Sequence, residues 1–376
     1  MLIGVPRETA SGESRVAATP ETTKKLKAQG HAIRVESGAG VAASVTDDAF
    51  VAAGADIVDR GGAFGAELVL KVRSPNADEL RLMKTGAALV GMLNPFDRAG
   101  LEALAAAGLT SFALEAAPRT TRAQSMDVLS SQANIAGYKA VILAADTYQR
   151  FFPMLMTAAG TVKAARVVVL GVGVAGLQAI ATAKRLGAVI EASDVRPSVK
   201  EQVESLGGKF IDVPYETAEE KEAAEGVGGY AKPMPQSWLD RQNVEVAKRV
   251  AAADVVISTA LIPGRAAPTL ITEEMVKAMK PGSVIVDLAA GRGPDGVGGN
   301  TPLSEADRTV VKHGVTIIGE TNLAARVGAD ASSLYARNVL DFLKLVLTKE
   351  GGFAVPMDDD IVAACLMTQG GSVKRA

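Results

Sequence analysis

The feature that most constrains this chain is a glycine-rich turn between an apolar strand pattern and a helix pattern. The strand pattern Arg166–Leu170 runs into Gly171-Val172-Gly173-Val174-Ala175-Gly176, and no further glycine occurs before Gly187. A second strand pattern, Val189–Asp194, follows and ends in an acidic residue. Glycine spacing alone is weak evidence, but this order of strand, turn, helix, strand and acid predicts a Rossmann domain.

Each glycine of the turn has its own expected role. Gly171 permits the tight turn, Gly173 lets the backbone approach a pyrophosphate, and Gly176 allows the helix to pack closely on the strand. Amides at the helix N-terminus favour phosphate groups. The turn is therefore predicted to bind a dinucleotide. Its candidate cofactor contacts are Gly171, Gly173, Val174, Ala175 and Gly176.

The acid after the second strand indicates which nucleotide to expect. Asp194 lies 18 residues beyond Gly176, near the spacing of about 20 at which an acid accepts hydrogen bonds from the adenosine ribose. The same charge repels a 2′-phosphate, so we expect NAD(H) in preference to NADP(H). Val195 and Arg196 complete the candidate contacts. Arg196 either softens the discrimination by contacting phosphate oxygens or is an ordinary surface arginine.

Strand and helix patterns alternate along most of the chain. The fold class predicted is α/β, with two Rossmann-like, doubly wound parallel-sheet domains and a cleft between them. We expect residues 131–319 to form the NAD(H)-binding domain. Residues 1–130 plus 320–376 are expected to form a discontinuous domain, because the helix pattern near Ala331–Thr348 lies beyond the second series of strands.

Composition narrows the possible partners. The 376 residues carry a net charge of -2 with dispersed cations, so no nucleic acid is expected. One cysteine, Cys365, and two histidines, His31 and His313, exclude a thiolate or histidine-rich metal site, and no metal is expected. No apolar run approaches the roughly 18 to 20 residues that a bilayer crossing needs.

A polar segment, Arg119–Gln132, precedes a long helix pattern. Such a concentration of hydrogen-bonding side chains at a domain junction predicts a ligand cleft. The structural alternative is that Ser130 or Ser131 caps the next helix while Asp127 pairs with an arginine.

A second polar stretch, Tyr215–Trp238, interrupts the predicted NAD(H)-binding domain. It holds an acidic cluster, several glycines and two prolines. Loops of this length inside a domain often act as lids, so we expect a mobile segment. The alternative is an inert helical insertion around Thr217–Ala224.

Several motifs together resemble the NAD(H)-binding alpha component of proton-translocating nicotinamide nucleotide transhydrogenase. They are Arg119–Gln132, Thr157–Thr161, Gly171–Gly187, Lys200–Phe210 and Gly229–Lys232. The resemblance spans nearly the whole chain, and alanine dehydrogenase shares the same plan. It implies a Re/Si-specific, proton-translocating transhydrogenase, in which NADH bound to this chain passes hydride to NADP⁺ on a partner component.

The resemblance also implies residue roles. Arg119, Gln124 and Asp127 would organise the nicotinamide as catalytic residues, and Ser130 would lie beside its ribose or carboxamide. Tyr230 would close over bound nucleotide. The implied partners are a membrane-spanning subunit, an NADP(H)-binding subunit and a second copy in a homodimer. The chain would then be a separate cytoplasmic polypeptide, held peripherally on the inner face of the membrane through its partners.

Two other functions stay open. Alanine dehydrogenase chemistry needs a proton acceptor, but this chain has Asn94 where the dehydrogenase pattern has histidine. Arg15 and Lys71 match the cationic positions of the dehydrogenase pattern, and they either keep inherited ion pairs or hold a small anion. A non-catalytic NAD(H) sensor would use the same glycine turn, yet it has little reason to present Arg119–Ser130. Whether Pro294–Asn300 contacts a ligand is also undecided.

Overall fold

The computed structural model describes residues 1–225, 234–348 and 351–375. The chain divides into two units, one made of Met1–Gln132 with Ala324–Ala376 and the other of Ala133–Leu323. Each unit is built on its own largely parallel sheet. The expected α/β class with doubly wound sheets is therefore confirmed.

The N-terminal segment alternates strands with short helices. Its strands are β1 (Leu2–Val5), β2 (Ala32–Glu36), β3 (Asp56–Val58), β4 (Leu68–Arg73), β5 (Ala88–Met92) and β6 (Thr110–Ala113). Its helices are α1 (Pro20–Ala28), α2 (Asp47–Ala52), α3 (Arg60–Phe64), α4 (Ala77–Leu80) and α5 (Arg98–Ala106). Each helix begins after a Thr, Asp or Asn side chain that accepts a hydrogen bond from a first-turn amide.

The middle of the chain begins with a long helix and continues with the second sheet. Its helices are α6 (Val128–Thr147), α7 (Val174–Arg185), α8 (Lys200–Ser205), α9 (Ala218–Glu225), α10 (Gln236–Ala252) and α11 (Glu273–Ala278). Its strands are β7 (Leu155–Thr157), β8 (Gly160–Val162), β9 (Arg166–Leu170), β10 (Val189–Ser193), β11 (Lys209–Phe210), β12 (Val255–Ser258), β13 (Val284–Asp287), β14 (Thr309–Lys312) and β15 (Val315–Ile318).

The C-terminal segment returns to the first unit. Its elements are α12 (Gly328–Val346), α13 (Asp360–Cys365), β16 (Leu366–Gln369) and β17 (Ser372–Val373). Tyr335 and Phe342 of α12 are fully buried in the core of that unit, and the Phe342 ring lies 5.4 Å from that of Phe112. Among the residues that the structure describes, no helix is both long and apolar enough to cross a bilayer.

Both main sheets have the same strand order. The first runs β3-β2-β1-β4-β5-β6 and is extended by the antiparallel strands β16 and β17. The second runs β11-β10-β9-β12-β13-β15 and ends on the antiparallel strand β14. In each sheet the order reverses beside the central strand, β1 or β9. Ligands of such sheets bind at this reversal, outside the carboxyl ends of the strands.

Continuous apolar strands explain why helices cover both faces of the second sheet. In β9, Val167 and Val169 pack into the core that contains α7, whereas Val168 and Leu170 pack into the core that contains α10. A parallel strand buried on both faces needs an apolar residue at every position. The central strand is thereby held firmly, and its carboxyl end presents the glycine turn.

The polar stretch after β11 is partly helical. Its described residues include α9, and a separate small core brings Val213, Ala224, Met234 and Trp238 together. The rings of Tyr215 and Trp238 stack with centroids 5.8 Å apart. The described residues thus contain a helix where the helical-insertion alternative expected one, and the mobility of the stretch stays a prediction.

Candidate functional site

The glycine turn between β9 and α7 has the geometry that its spacing predicts. Gly171 has a φ of +88°, and a Cβ atom there would lie 2.9 Å from Thr259 Oγ1. A Cβ atom on Gly176 would overlap the carbonyl oxygen of Gly171. Glycine is required at both positions because a side chain would push α7 away from the strand.

The N-terminus of α7 is open to a ligand. Gly173 is the N-cap residue and provides no side-chain cap, and a Cβ atom there would meet nothing within 4 Å. The first-turn amides of this 12-residue helix therefore have no capping side chain, at the end where the helix dipole favours anions. Val174 and Ala175 lie in this first turn. These features fit the pyrophosphate of a dinucleotide.

Asp194 lies beside the glycine turn and is tied to it. Its Oδ2 accepts a hydrogen bond of 2.7 Å from the backbone N–H of Val172. Arg196 donates to the same carboxylate, with Nε 3.0 Å from Oδ1 and Nη2 3.0 Å from Oδ2. Arg196 is therefore not an ordinary surface arginine. Val195, between them, packs against the small core of Trp238.

A second loop, after β12, is fastened to the glycine turn. Thr259 Oγ1 donates a 2.8 Å hydrogen bond to the carbonyl of Gly171. The buried Asn300 side chain accepts from the N–H of Ala260 at 3.1 Å and donates to the carbonyls of Ala260 and Pro268. Within Pro294–Asn300, the asparagine thus has a structural role: it holds the β12 loop beside the strand-order reversal.

Asp287, at the end of β13, supports the same region. This fully buried carboxylate accepts hydrogen bonds from the backbone N–H groups of Ala289 and Thr301 and from the hydroxyls of Ser258 and Ser304. Sequence reasoning missed Thr259 and Asp287 as site residues, and it left the role of the segment that contains Asn300 undecided. The signal for the first two was their position at the carboxyl ends of strands: Thr259 follows β12, which neighbours the central strand β9, and Asp287 ends β13, one strand further out.

In the first unit, Asp127 caps α6. Its Oδ1 accepts from the N–H of Ser130 at 2.9 Å, and its Oδ2 accepts from the Ser130 hydroxyl at 2.6 Å. Ser131 instead donates to the carbonyl of Val128 and to Asn338 Oδ1. The structural alternative, in which Ser130 or Ser131 caps the helix, therefore named the wrong residue. The Asp127 carboxylate is the cap, and the N–H and hydroxyl of Ser130 donate to it.

The rest of the polar segment is anchored by its backbone and by two apolar residues. Ala123 and Met126 are buried in the core, and Asn338 Nδ2 donates a 2.7 Å hydrogen bond to the carbonyl of Ser125. Both Arg119 and Gln124 have exposed side chains. A fixed backbone with exposed polar side chains suits a surface that positions a ligand.

The candidate residues fall into separate groups. The polar-segment residues Arg119, Gln124, Asp127 and Ser130 belong to the first unit, and the glycine turn with Asp194, Val195 and Arg196 belongs to the second. Within each group, hydrogen bonds join Asp127 to Ser130 and join Asp194 to the glycine turn and Arg196. Tyr230 lies outside the described residues.

Arg15 and Lys71 are held in buried ion pairs. Two guanidinium nitrogens of Arg15 each lie 2.7 Å from an oxygen of Glu13. Lys71 Nζ lies 3.1 Å from Glu8 Oε2 and 3.5 Å from Glu79 Oε2. Burial raises the pKa of Glu8 even though Lys71 opposes the shift. The chain's own carboxylates thus balance both cations, which favours the ion-pair alternative over an anion site.

Asn94 occupies the turn after β5 in a left-handed conformation, with a φ of +56°. Its N–H donates a 2.7 Å hydrogen bond to Glu115 Oε1. Burial raises the pKa of Glu115 to about 6. An amide side chain cannot take up a proton, so this position lacks the acid-base group that alanine oxidation needs.

Family models match both halves of the chain. The alanine dehydrogenase/PNT N-terminal domain matches residues 4–136, and the alanine dehydrogenase/PNT C-terminal domain matches residues 140–376. The fold and the two matches define its class: the chain belongs to the alanine dehydrogenase/PNT family.

Individual relatives place the chain within that family. One relative is the first part of NAD(P) transhydrogenase subunit alpha from Rhodospirillum rubrum. It is 52% identical to this chain over 382 residues, which cover 99% of this chain and 97% of the relative. The crystal structure of transhydrogenase from Sinorhizobium meliloti has 46% identity and a TM-score of 0.89, covering 99% of this chain and 100% of that one. An L-alanine dehydrogenase structure has 28% identity and a TM-score of 0.81, covering 99% and 96%. Similarity to the transhydrogenase alpha subunits is therefore the stronger one.

We predict that Lys71→Met lowers the free energy of unfolding by about 3–5 kcal/mol, because it leaves buried carboxylates without their cation. The exposed pair of Lys25 with Glu21 provides the control, and Lys25→Met should cost below about 1 kcal/mol. Urea unfolding followed by circular dichroism measures both. Equal, small losses would contradict the assignment of Lys71 to a buried ion pair.

Proposed function

We propose that this chain binds NAD(H) at its glycine turn and exchanges hydride with NADP(H) on a separate component, in the reversible reaction NADH + NADP⁺ to NAD⁺ + NADPH. The observation that carries the proposal is the uncapped N-terminus of α7, with open space at Gly173 and Asp194 tied to the same turn. The similarity to transhydrogenase alpha subunits supports the choice of reaction.

The chemistry of the bound nucleotides explains why the chain needs no acid or base. The nicotinamide ring supplies and accepts hydride, and no proton moves at the reacting carbons. Protein residues then contribute by orienting the ring, at roughly 3 to 3.5 Å between reacting atoms, and by excluding water. The scarcity of histidine and the presence of Asn94 are consistent with that task.

The polar segment is the proposed orienting group. Asp127 is fixed by Ser130, and each of its carboxylate oxygens accepts one hydrogen bond there. Because a carboxylate oxygen has two lone pairs, each can accept another donor. Gln124 and Arg119 add exposed polar groups on the same anchored backbone. We assign these three to the nicotinamide, Ser130 to its ribose or carboxamide, and Tyr230 to closure over the nucleotide.

The proposal extends to the assembly. The partners would be a membrane-spanning subunit and an NADP(H)-binding subunit, and the transfer would be Re/Si-specific and coupled to proton translocation. The chain would lie on the inner, cytoplasmic face of the membrane through these subunits. The name of the Rhodospirillum rubrum relative, which divides the alpha subunit into portions, supports an assembly of several polypeptides.

We also propose that residues 131–319 and residues 1–130 plus 320–376 are the two domains.

We propose that a second copy of the chain packs on the hairpin β7–β8. Every residue of both strands is exposed, with Met156 at 70% and Leu155 at 37%. Phe151 and Met154, just before the hairpin, are exposed too. A lone two-stranded hairpin is marginally stable in water, and an apolar exposed ribbon is a common protein interface. A homodimer would bury it.

The nucleotide site is tested by two glycine substitutions. Gly173→Ala should leave the melting temperature unchanged but weaken NADH binding at least about tenfold, because its methyl group enters the open space where the pyrophosphate would lie. Gly176→Ala should also lower the melting temperature, since it overlaps the carbonyl of Gly171. NADH fluorescence measures binding. Gly61→Ala, at an uncrowded helical glycine of the first unit, should bind normally. Normal binding by Gly173→Ala would refute the site.

The orienting role is tested by Asp127→Asn and Gln124→Asn. Each should slow hydride transfer by about tenfold or more while changing NADH affinity less than about threefold, because the lost interactions act on ring orientation. Single-turnover transfer and equilibrium binding are compared on the same preparations. Asp78→Asn, which changes an exposed carboxylate on α4, is the control. Equal losses of transfer and binding would remove the assigned role.

The homodimer is tested by sedimentation of the purified chain. Met156→Glu should convert a dimer into monomers, because a buried charge at the hairpin is unfavourable. Val311→Glu places the same charge on another exposed apolar position, 66% exposed on β14, and should remain dimeric. A monomeric wild-type chain, or dissociation by Val311→Glu alone, would count against the hairpin interface.

A further inference from the structure

The carboxylate of Asp194 is saturated with donors from its own chain. Oδ1 accepts from the N–H of Arg196 at 2.9 Å and from its Nε at 3.0 Å. Oδ2 accepts from the N–H of Val172 at 2.7 Å and from Arg196 Nη2 at 3.0 Å. A carboxylate has about four lone-pair sites. All four are used, and none is left for a ribose hydroxyl.

Only the Arg196 side chain, which supplies two of these four donors, can leave without disturbing the backbone. The Val172 N–H belongs to the glycine turn, whose backbone is constrained by Gly171 and Gly176. The Arg196 side chain is long and rotatable, and it is 26% exposed against 8% for Asp194. Its Nη2 also donates a 3.2 Å hydrogen bond to the carbonyl of Val172. The guanidinium therefore bridges the acid and the turn, yet it has a path to solvent.

We propose that Arg196 is a built-in competitor for the adenosine ribose. In the free chain its guanidinium occupies the carboxylate that the ribose 2′- and 3′-hydroxyls require. Binding of NAD(H) must displace it, so a share of the binding free energy is spent on breaking the Arg196–Asp194 pair. This inference rests on the proposed binding of NAD(H) at the glycine turn.

The same pair affects the choice of nucleotide. A bare Asp194 carboxylate would repel a 2′-phosphate, but the bidentate guanidinium compensates that charge. Arg196 thus lowers the affinity for NAD(H) and also weakens the rejection of NADP(H). It acts as a specificity-determining residue through Asp194 and has no role in the transfer itself.

The experiment compares wild-type chain, Arg196→Met and Arg308→Met in NADH binding. Arg308 pairs with Glu305 on the surface of the same unit, so its substitution removes the same charge far from the glycine turn in sequence. With Arg196→Met, NADH should bind about twofold to fivefold more tightly, the range expected for releasing a partly exposed ion pair. Arg308→Met should bind like wild type, and Arg196→Lys should give a smaller gain.

A second measurement separates displacement by the ribose from a general charge effect. ADP and 2′,3′-dideoxy-ADP compete with NADH for each variant. The gain from Arg196→Met should appear with ADP and be absent with the dideoxy nucleotide, which has no hydroxyl to present to Asp194. Thermal melting of each variant shows that it is folded.

Weaker or unchanged NADH binding by a folded Arg196→Met chain would overturn the proposal. So would an equal gain with both adenine nucleotides. A wild-type chain that binds no NADH would instead refute the proposed function, so the two failures are distinguishable.

Discussion

The close approach of α7 to the end of β9 is the constraint on which the nucleotide site depends. Gly176 lies against the carbonyl of Gly171, and that same carbonyl accepts the hydroxyl of Thr259. One peptide group therefore sets the position of the helix N-terminus and of the loop after β12. The N–H of Val172 then ties Asp194 to the turn. The proposed phosphate donors and the proposed ribose acceptor are therefore positioned by one short piece of backbone.

The two units use buried charge differently, although their sheets have the same strand order. At the reversal of the first sheet, Lys71 and Arg15 are enclosed with carboxylates. At the reversal of the second, the helix N-terminus is left without a cap and meets open space. The same topology thus gives a self-neutralised site in one unit and a candidate anion site in the other. Strand order alone does not assign function.

Local features of the sequence predicted the glycine turn, β9, α7 and the acid after β10, because each depends on neighbouring residues. Features set by distant contacts were not predictable. Asn300 is an example, because it holds a loop 40 residues away in sequence. The Asp127 cap of α6 is a local contact, and the structural alternative named a serine there. The strand β14 was also missed. It pairs with β15 through a tight turn at His313 and Gly314, with φ values of +53° and +78°.

The most direct test of the central claim follows the hydride itself. The purified chain is combined with the NADP(H)-binding and membrane-spanning components, and NADH carrying deuterium at C4 is mixed with NADP⁺. The account predicts that the label appears in NADPH without exchange with water, only when the partner components are present, and that alanine with NAD⁺ yields no NADH. Alanine-dependent NADH formation by the chain alone, without labelled NADPH in the complete mixture, would contradict it.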